Sequence, residues 1–457
     1  MKYKLIGTLT LVVLASLVRA QDQAPGAQTV TIPKEQYQKL LDEHQKLLQE
    51  MQEMKAFKAQ MQEAMKKPAP QQAETDAALD DLEKQLKAVK QMAKDSFPGT
   101  TKMLLTGYGS ATFKATSSGY GPSQPIEETT LPPRKAQSFF DATFNPIFLW
   151  KLSDRLLFEG EMELELEDNG DTSVALEMAH MSYVLNDYMT ISGGKFLNPM
   201  DYFIERQHMG WVNKMPDKPL AVYDGLVPDE SLLGAQVRGG IPIGPTKVGY
   251  AFFVANAPNL NTDTNSIALG ALEGGNNANF GNHIAVGGRV GFYPIPELEL
   301  GYGFEYTGVR PADSGLRDIK ALLHSVDATY VRESERLKGI INLHAQWIWS
   351  QVDSLRDLTG PGGIADFNNN RNGGYVQLAY RPTRMQNKIL ANLEPIIRYD
   401  MINQKKTPIG FDENRWTLGL DYWIAPSTVV KAAYEFDQQN GQGHSGNAFL
   451  LQTVIGF

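Results

Sequence analysis

The sequence predicts an all-β transmembrane barrel of about sixteen antiparallel strands, preceded by an N-terminal α-helical coiled-coil segment. Two observations predict the barrel: alternating apolar and polar residues recur throughout residues 100–457, and the gaps between these runs alternate between long and short. A third observation predicts the helical segment, because residues 21–99 carry apolar residues at heptad spacing instead.

Residues 1–20 have the organisation of a secretory signal peptide. Lys2 and Lys4 precede an apolar run over residues 5–17, and Val18-Arg19-Ala20 forms a small-residue cleavage site. The chain has no Cys. We therefore expect an exported protein without a lipoprotein anchor, a disulfide framework or thiolate chemistry.

Residues 21–99 predict a periplasmic coiled coil. Pro68 and Pro70 interrupt the helix, and the heptad frame resumes at Leu79. Either a bundle that continues past a Pro joint or a helix folded back on itself fits this pattern. His44 and Lys58 either select one register from core positions or lie at a solvated edge. The a positions are Tyr37, His44, Met51, Lys58 and Met65, and the d positions are Leu40, Leu47, Met54 and Met61.

The clearest strand runs from Arg155 to Asp168. Its apolar residues between Leu156 and Leu166 share one face, and glutamates from Glu159 to Glu167 share the other. This alternation predicts that one face meets lipid while the other lines a polar lumen. Strands are predicted near residues 104–114, 137–150, 155–167, 173–185, 187–197, 232–241, 246–257, 282–293, 296–307, 323–333, 336–351, 373–382, 389–402, 415–424, 428–437 and 447–457.

The gaps between these strands predict the orientation of the barrel. Short gaps such as Pro426-Ser427 alternate with long ones such as 198–231 and 352–372. Outer-membrane barrels have short periplasmic turns and longer external loops, so an even number of strands with both ends in the periplasm follows. Sixteen strands are counted, and eighteen also fit.

Aromatic residues beside the short gaps predict a girdle at one membrane interface. The last strand, residues 447–457, places Phe449, Leu451, Ile455 and Phe457 on one face. We expect the Phe457 ring to lie at the periplasmic interface. The predicted girdle comprises Trp150, Tyr183, Tyr188, Tyr293, Tyr330, Tyr380, Tyr422, Trp423 and Phe457.

The chain resembles a Gram-negative outer-membrane porin, and the family it resembles is that of the phosphate-selective porins. The resemblance lies in Phe144 to Glu161, Gly194 to Pro199, Asp217 to Leu220 and Gly234 to Gly239. It implies a homotrimer of water-filled pores in the outer membrane. It also implies that Phe457 is an assembly signal for the barrel assembly machinery.

The charge balance narrows the range of partners. The chain has a formal net charge of −9, which predicts no nucleic-acid partner. Residues 100–457 carry 29 basic and 39 acidic residues, so the composition does not predict a preference for phosphate.

The gap 198–231 is the longest in the predicted barrel and predicts a constriction of the pore. The alternative is a loop over the outer mouth or between subunits. Its acidic residues are Asp201, Glu205, Asp217, Asp224, Asp229 and Glu230, and its basic residues are Arg206, Lys214 and Lys218.

The inward faces of the strands predict two opposed groups of charges. Such rows would orient dipolar solutes and predict weak selectivity for cations, although the same charges could simply hydrate a wide lumen. The acidic group is Glu159, Glu161, Glu163 and Glu165; the basic residues expected to line the pore are Arg238, Arg289, Arg381, Arg398, Arg415 and Lys431.

The sequence therefore predicts a porin for passive diffusion of small hydrophilic or ionic solutes. One alternative is a structural tether between the outer membrane and the periplasm or cell wall, and another is a barrel-type outer-membrane enzyme. The sequence contains neither a G-x-S-x-G elbow nor an H-E-x-x-H pair. We expect no catalytic residue, metal or cofactor.

Overall fold

A computed structural model describes most of the predicted barrel. The predicted signal peptide and coiled coil lie outside the described residues and stay predictions. The described residues are 103–118, 136–166, 170–222, 230–261, 270–273, 283–309, 319–353, 369–404, 412–440 and 445–457.

The described residues form strands and two short helices. The helices are α1 (Tyr202–Gln207) and α2 (Lys388–Ala391). The strands are β1 (Met103–Thr116), β2 (Ala136–Lys151), β3 (Leu156–Leu166), β4 (Thr172–Asn186), β5 (Met189–Leu197), β6 (Ser231–Ile243), β7 (Thr246–Asn256), β8 (Asn259–Leu260), β9 (Leu272–Glu273), β10 (Ile284–Ile295), β11 (Leu298–Val309), β12 (Ile319–Ser334), β13 (Gly339–Val352), β14 (Asn369–Arg381), β15 (Leu393–Asn403), β16 (Asp412–Ala425), β17 (Thr428–Asn440) and β18 (Ser445–Gly456).

Sixteen of these strands form a closed antiparallel barrel. Each pairs with its neighbours in the chain, and β1 closes the barrel against β18, from Tyr108 opposite Gly456 to Thr116 opposite Ala448. The short strands β8 and β9 pair only with each other. The prediction of sixteen barrel strands is confirmed. Within the described residues, no helix has the length and apolarity needed to cross a bilayer.

The connections alternate in length as predicted, with one difference. Most turns at the short end, such as residues 426–427, have two to four residues, but β14 and β15 are joined by residues 382–392. The sequence predicted a strand from residue 389. Asn387 instead caps α2 by accepting hydrogen bonds from the backbone N–H groups of Ile389 and Leu390.

The outer surface of the barrel is an apolar belt. On β11, Leu300, Tyr302 and Tyr306 are exposed, whereas Glu299 and Glu305 on the opposite face are buried. This arrangement inverts that of a water-soluble protein and requires an apolar medium around the barrel.

Two of the nine predicted girdle residues do not belong to the girdle. Tyr293 faces inward, where its hydroxyl accepts a hydrogen bond from Arg206. Trp423 is 7% exposed and donates its Nε1 hydrogen to Glu394. Because successive side chains of a strand point to opposite faces, closeness to a turn does not place a ring on the outside.

The barrel closes around the last residue of the chain. The backbone of Phe457 exchanges two hydrogen bonds with Gly107, at 3.0 and 3.3 Å, and its ring stacks on Phe144 at 5.5 Å. Gly107 has φ +152°, and a Cβ there would lie 2.2 Å from the carbonyl oxygen of Asn145. Only glycine fits this close approach.

Small residues leave room inside one wall of the barrel. A Cβ at Gly303 on β11 would lie 2.4 Å from the carbonyl oxygen of Met200, and Ser325 on β12 donates a hydrogen bond to that same oxygen. Gly303 therefore admits a segment of chain that lies against the inner face of the wall, and Gly301 leaves room for the side chains of Arg289 and Asp327.

Candidate functional site

The segment between β5 and β6 turns into the barrel, and residues 198–222 of it are here called the inner loop. The two ends of the whole segment between β5 and β6 meet, because the Asn198 N–H donates to the carbonyl oxygen of Glu230 at 2.8 Å. Between these ends the inner loop contacts inward-facing side chains of β1, β3 and most strands from β10 to β18.

The first part of the inner loop is the helix α1. Asp201 is fully buried and caps the helix by accepting a hydrogen bond from the Ile204 N–H. Phe203 and Ile204 pack into the main buried apolar cluster, which also includes Phe253 of β7. Burial raises the pKa of Asp201 to about 6, against the opposing effect of its hydrogen bonds.

Four charged residues predicted to line the pore meet around α1. Arg206 donates to Glu299 on β11 at 2.9 Å, and Arg238 on β6 donates to Glu205 at 2.8 Å. Arg289 on β10 is buried and pairs with Asp327 at 2.6 Å. These pairs connect the inner loop to both β6 and β11 and balance most of the local charge.

The middle of the inner loop reaches the opposite wall. The Trp211 ring packs edge-on against Tyr108 of β1, with centroids 5.2 Å apart. His208 Nε2 lies 4.0 Å from the fully buried Glu161 of β3. Burial alone would lower the pKa of His208, but Glu161 and neighbouring carboxylates raise it above its ordinary value.

Lys431 on β17 supports the turn that follows. Its side chain is fully buried, and its Nζ donates to the carbonyl oxygens of Gly210 at 2.6 Å, Asn213 at 2.7 Å and Met215 at 3.2 Å. One ammonium group therefore satisfies three backbone acceptors of the inner loop.

Two arginines hold Asp217 at the far end of the inner loop. Arg398 on β15 contacts one carboxylate oxygen at 3.0 Å, and Arg415 on β16 contacts the other at 2.9 Å. Both guanidinium groups also donate to the carbonyl oxygen of Lys218. Burial alone would raise the pKa of Asp217, but Arg415 and Arg398 hold it well below its ordinary value.

Lys214 anchors the inner loop near the short-turn end of the barrel. Its Nζ lies 2.9 Å from Glu394 on β15, which also accepts the Trp423 hydrogen bond. Arg381 lies close by, with its guanidinium 5.0 Å from the Trp423 ring centroid, and donates to the carbonyl oxygen of Ala391. Arg381 thus faces inward at the rim of the barrel.

The predicted acidic row follows β3 along the wall that faces these anchors. Glu159 lies 3.4 Å from His180, and Glu163 accepts a hydrogen bond from Asn145. Glu165 is exposed at the end of the strand. The structure therefore places all four predicted glutamates along β3, with Glu161 covered by the inner loop.

Glu177 on β4 joins this acidic wall and was missed by sequence reasoning. A β-bulge opposite Glu161 and Met162 turns both Glu177 and Met178 inward. The sequence carries a signal for the bulge, because the outward apolar residues change from even positions, ending at Leu176, to odd positions, beginning at Ala179.

Exposure divides the predicted pore-lining charges into two groups. Arg398, Arg415 and Lys431 have fully buried side chains beneath the inner loop. Their inward direction was predicted, but they support the loop and have no surface that a solute could reach. Other side chains keep substantial exposure, among them Glu165 at the end of β3, Arg238 at 45%, Arg206 at 35%, Glu230 at 34%, Glu159 at 32% and Lys218 at 29%.

Lys218 and Glu230 form an ion pair where the inner loop returns to β6. Burial alone would raise the pKa of Glu230, but Lys218 lowers it below its ordinary value. Among the residues that the structure describes, no group of three or more His, Asp or Glu side chains has the geometry to hold a metal ion.

The sixteen antiparallel strands form a closed barrel with an apolar outer belt, and the loop between β5 and β6 turns into its lumen. The chain has a porin-like fold.

Comparisons with known proteins found similar chains only among solved structures. No family model matches the chain, and no curated protein matches it. Solved structures similar to it include an anion-selective porin from Comamonas acidovorans, at 12% identity over 78% of this chain and 99% of that one, with a TM-score of 0.49. The outer-membrane channel DcaP of Acinetobacter baumannii is similar at 12% identity over 78% and 97%, with the same score. Likenesses of this degree carry no argument about function.

Proposed function

We propose that the protein is an outer-membrane porin, a water-filled channel for the passive diffusion of small hydrophilic or ionic solutes. The supporting observation is that the inner loop meets opposite walls of the barrel, with Arg206 paired to Glu299 of β11 on one side and Trp211 packed against Tyr108 of β1 on the other. A loop held in this way narrows the lumen.

The charged side chains that are not buried beneath the inner loop favour a weak preference of the channel for cations. The basic residues Arg398, Arg415 and Lys431 are buried, and Asp217 neutralises part of their charge. The acidic wall on β3 and β4 keeps Glu159 partly exposed. Arg206, Arg238 and Lys218 are partly exposed as well, so the accessible charges nearly balance, and the preference that the acidic wall gives for cations at low ionic strength is weak.

The channel is proposed to act as a homotrimer, with residues 21–99 as a coiled coil in the periplasm. Three parallel pores in one particle give conductance that rises in groups of three equal steps. The apolar belt supports membrane insertion of each barrel, and the short turns face the periplasm in this arrangement.

Planar-bilayer recording tests this proposal. Purified full-length protein is added to one side, and a tenfold KCl gradient is then applied. We expect stepwise conductance in threes and a reversal potential of the sign for K⁺, which shrinks at high salt. A silent barrel would favour the tether or enzyme alternatives, and a strong preference for Cl⁻ would contradict the assignment of an acidic lumen.

A further inference from the structure

A shallow groove crosses the outer face of the barrel on β12 to β15. Its volume is about 330 Å³, and its lining includes the small residues Ala328, Ala345 and Gly374. Ala328 lies directly opposite Ala345, and Trp347 lies opposite Gly374. Small residues on neighbouring strands leave a depression in the belt, with the Trp347 ring beside it.

The turns that join β12 to β13 and β14 to β15 form part of the rim at the short-turn end of the barrel. The turns 335–338 and 382–392 contact each other, because the Arg384 N–H donates to the carbonyl oxygen of Lys338 at 3.0 Å. The outward-facing Tyr380 donates its hydroxyl hydrogen to the carbonyl oxygen of Leu337, which places the first turn at the lipid side of the rim.

This rim combines exposed apolar and basic side chains. Leu337 is 48% exposed, Ile389 61% and Leu390 45%. Residues 332–338 and 384–388 together contain five basic and two acidic residues, in a chain whose net charge is −9. The five basic residues are Arg332, Arg336, Lys338, Arg384 and Lys388.

Arg384 pairs with Glu333 at 2.7 Å, so one acidic residue of the rim is already engaged. Arg336, Lys338 and Lys388 are exposed and remain available to an anion. Basic residues beside exposed apolar ones match the interface of a membrane with anionic headgroups.

The distance between the groove and the rim fits one leaflet. Five residue steps along β14 separate Val376, which lines the groove, from Arg381 at the strand end. They span roughly 17 Å along the strand, and less in height because the strands of such barrels are tilted. Half of a bilayer's hydrocarbon core is about 15 Å thick.

We propose that this surface binds an anionic glycerophospholipid of the leaflet at the short-turn end. The phosphate lies against Arg336, Lys338 and Lys388 at the rim, and one acyl chain lies in the groove beside Trp347. The inference depends on the barrel and its belt, and it is independent of whether the lumen conducts.

Native mass spectrometry of the full chain in detergent tests the inference. Phosphatidylglycerol or phosphatidylcholine is added in equal amounts, and the lipid retained by each variant is counted. The variants are R336A/K338A/K388A at the rim and A345F in the groove. K151A/R155A/K247A is the matched control, since it removes three basic residues in or beside other turns at the same end.

We expect the wild type to retain phosphatidylglycerol in preference to phosphatidylcholine. The rim variant should lose this retention by about tenfold or more, because each basic residue near an anionic surface contributes separately. A345F should lose it too, and the control should match the wild type. Heat-dependent gel mobility confirms that each variant is a folded barrel.

Three results would overturn the inference. The wild type could fail to distinguish the two lipids, or both variants could retain phosphatidylglycerol as the wild type does. A345F could instead change the number of subunits in the particle while lipid retention stays the same, which would make the groove an interface between copies of the chain.

Discussion

Gly107 lies where the last residue of the chain meets the first strand. Its φ of +152° and the 2.2 Å approach of the Asn145 carbonyl oxygen leave no room for a side chain. We expect G107A to destabilise the barrel by about 2–5 kcal/mol through backbone strain and overpacking. The temperature at which the folded band disappears on a gel measures this effect.

Gly109 on the same strand provides the control. A Cβ there would meet its nearest atom, the Thr143 carbonyl oxygen, at 3.3 Å, and the backbone is not left-handed. G109A should therefore stay close to the wild type. Equal losses in G107A and G109A would show that the contact between Gly107 and Phe457 has no special part in closing the barrel.

Asp217 makes the stability of the inner loop depend on pH. Its pKa is held below the ordinary value of 3.8 by Arg415 and Arg398, in spite of burial. A carboxyl group with a lowered pKa stabilises the folded state above its unfolded pKa, and this contribution is lost as the pH falls through the lowered value.

We therefore expect D217N to be less stable than the wild type by about 2–4 kcal/mol at pH 7, because two buried guanidinium groups lose their partner. The difference should persist to about pH 4 and shrink below it. Thermal unfolding of both proteins across this range is the measurement. A difference that grows on acidification would contradict the assignment of an ionised Asp217.

The element on which the proposed function depends is the inner loop, and a substitution of Lys431 tests how the loop is held. K431M keeps the length of the side chain and removes its three hydrogen bonds to Gly210, Asn213 and Met215. Buried carbonyl groups without a donor are costly, so we expect the turn to leave the wall. Single-channel conductance should become larger and noisier.

Lys247 on β7 is the matched control, because its Nζ lies over the Tyr293 ring and donates no hydrogen bond to the described residues of the inner loop. K247M should conduct as the wild type does. Unchanged conductance in K431M would mean that other contacts are sufficient to hold the inner loop in place.

The strands could be predicted from the sequence because their signal is local. Alternation along segments such as 298–309 fixes which face of each strand is apolar, and the short gaps fix the pairing of neighbours. The contacts that hold the inner loop in the barrel could not be predicted, since Lys431 is more than 200 residues away from Gly210 in the sequence. Alternation does place Trp423 inward, because it follows the outward Tyr422, and the girdle prediction failed there since it depended on closeness to a turn alone.

At the scale of the whole molecule, the barrel separates two environments. Its outer face exposes apolar side chains on every wall, while its inner face buries polar and charged ones, including Glu161, Arg289 and Arg398. An acidic chain can enter a membrane in this form because the alternation of side chains points its charged groups into the lumen, away from lipid. The alternation of faces thus determines both insertion and the polar lumen.

The proposed function requires that the inner loop narrows a conducting lumen. Replacing residues 209–218 by a short Gly-Ser linker removes the contacts to Tyr108, Lys431, Arg398 and Arg415 while leaving α1 in place. Single-channel conductance in planar bilayers should then rise severalfold above that of the wild type, with little remaining ion selectivity. Equal conductance in the two proteins, or no conductance in either, would contradict it.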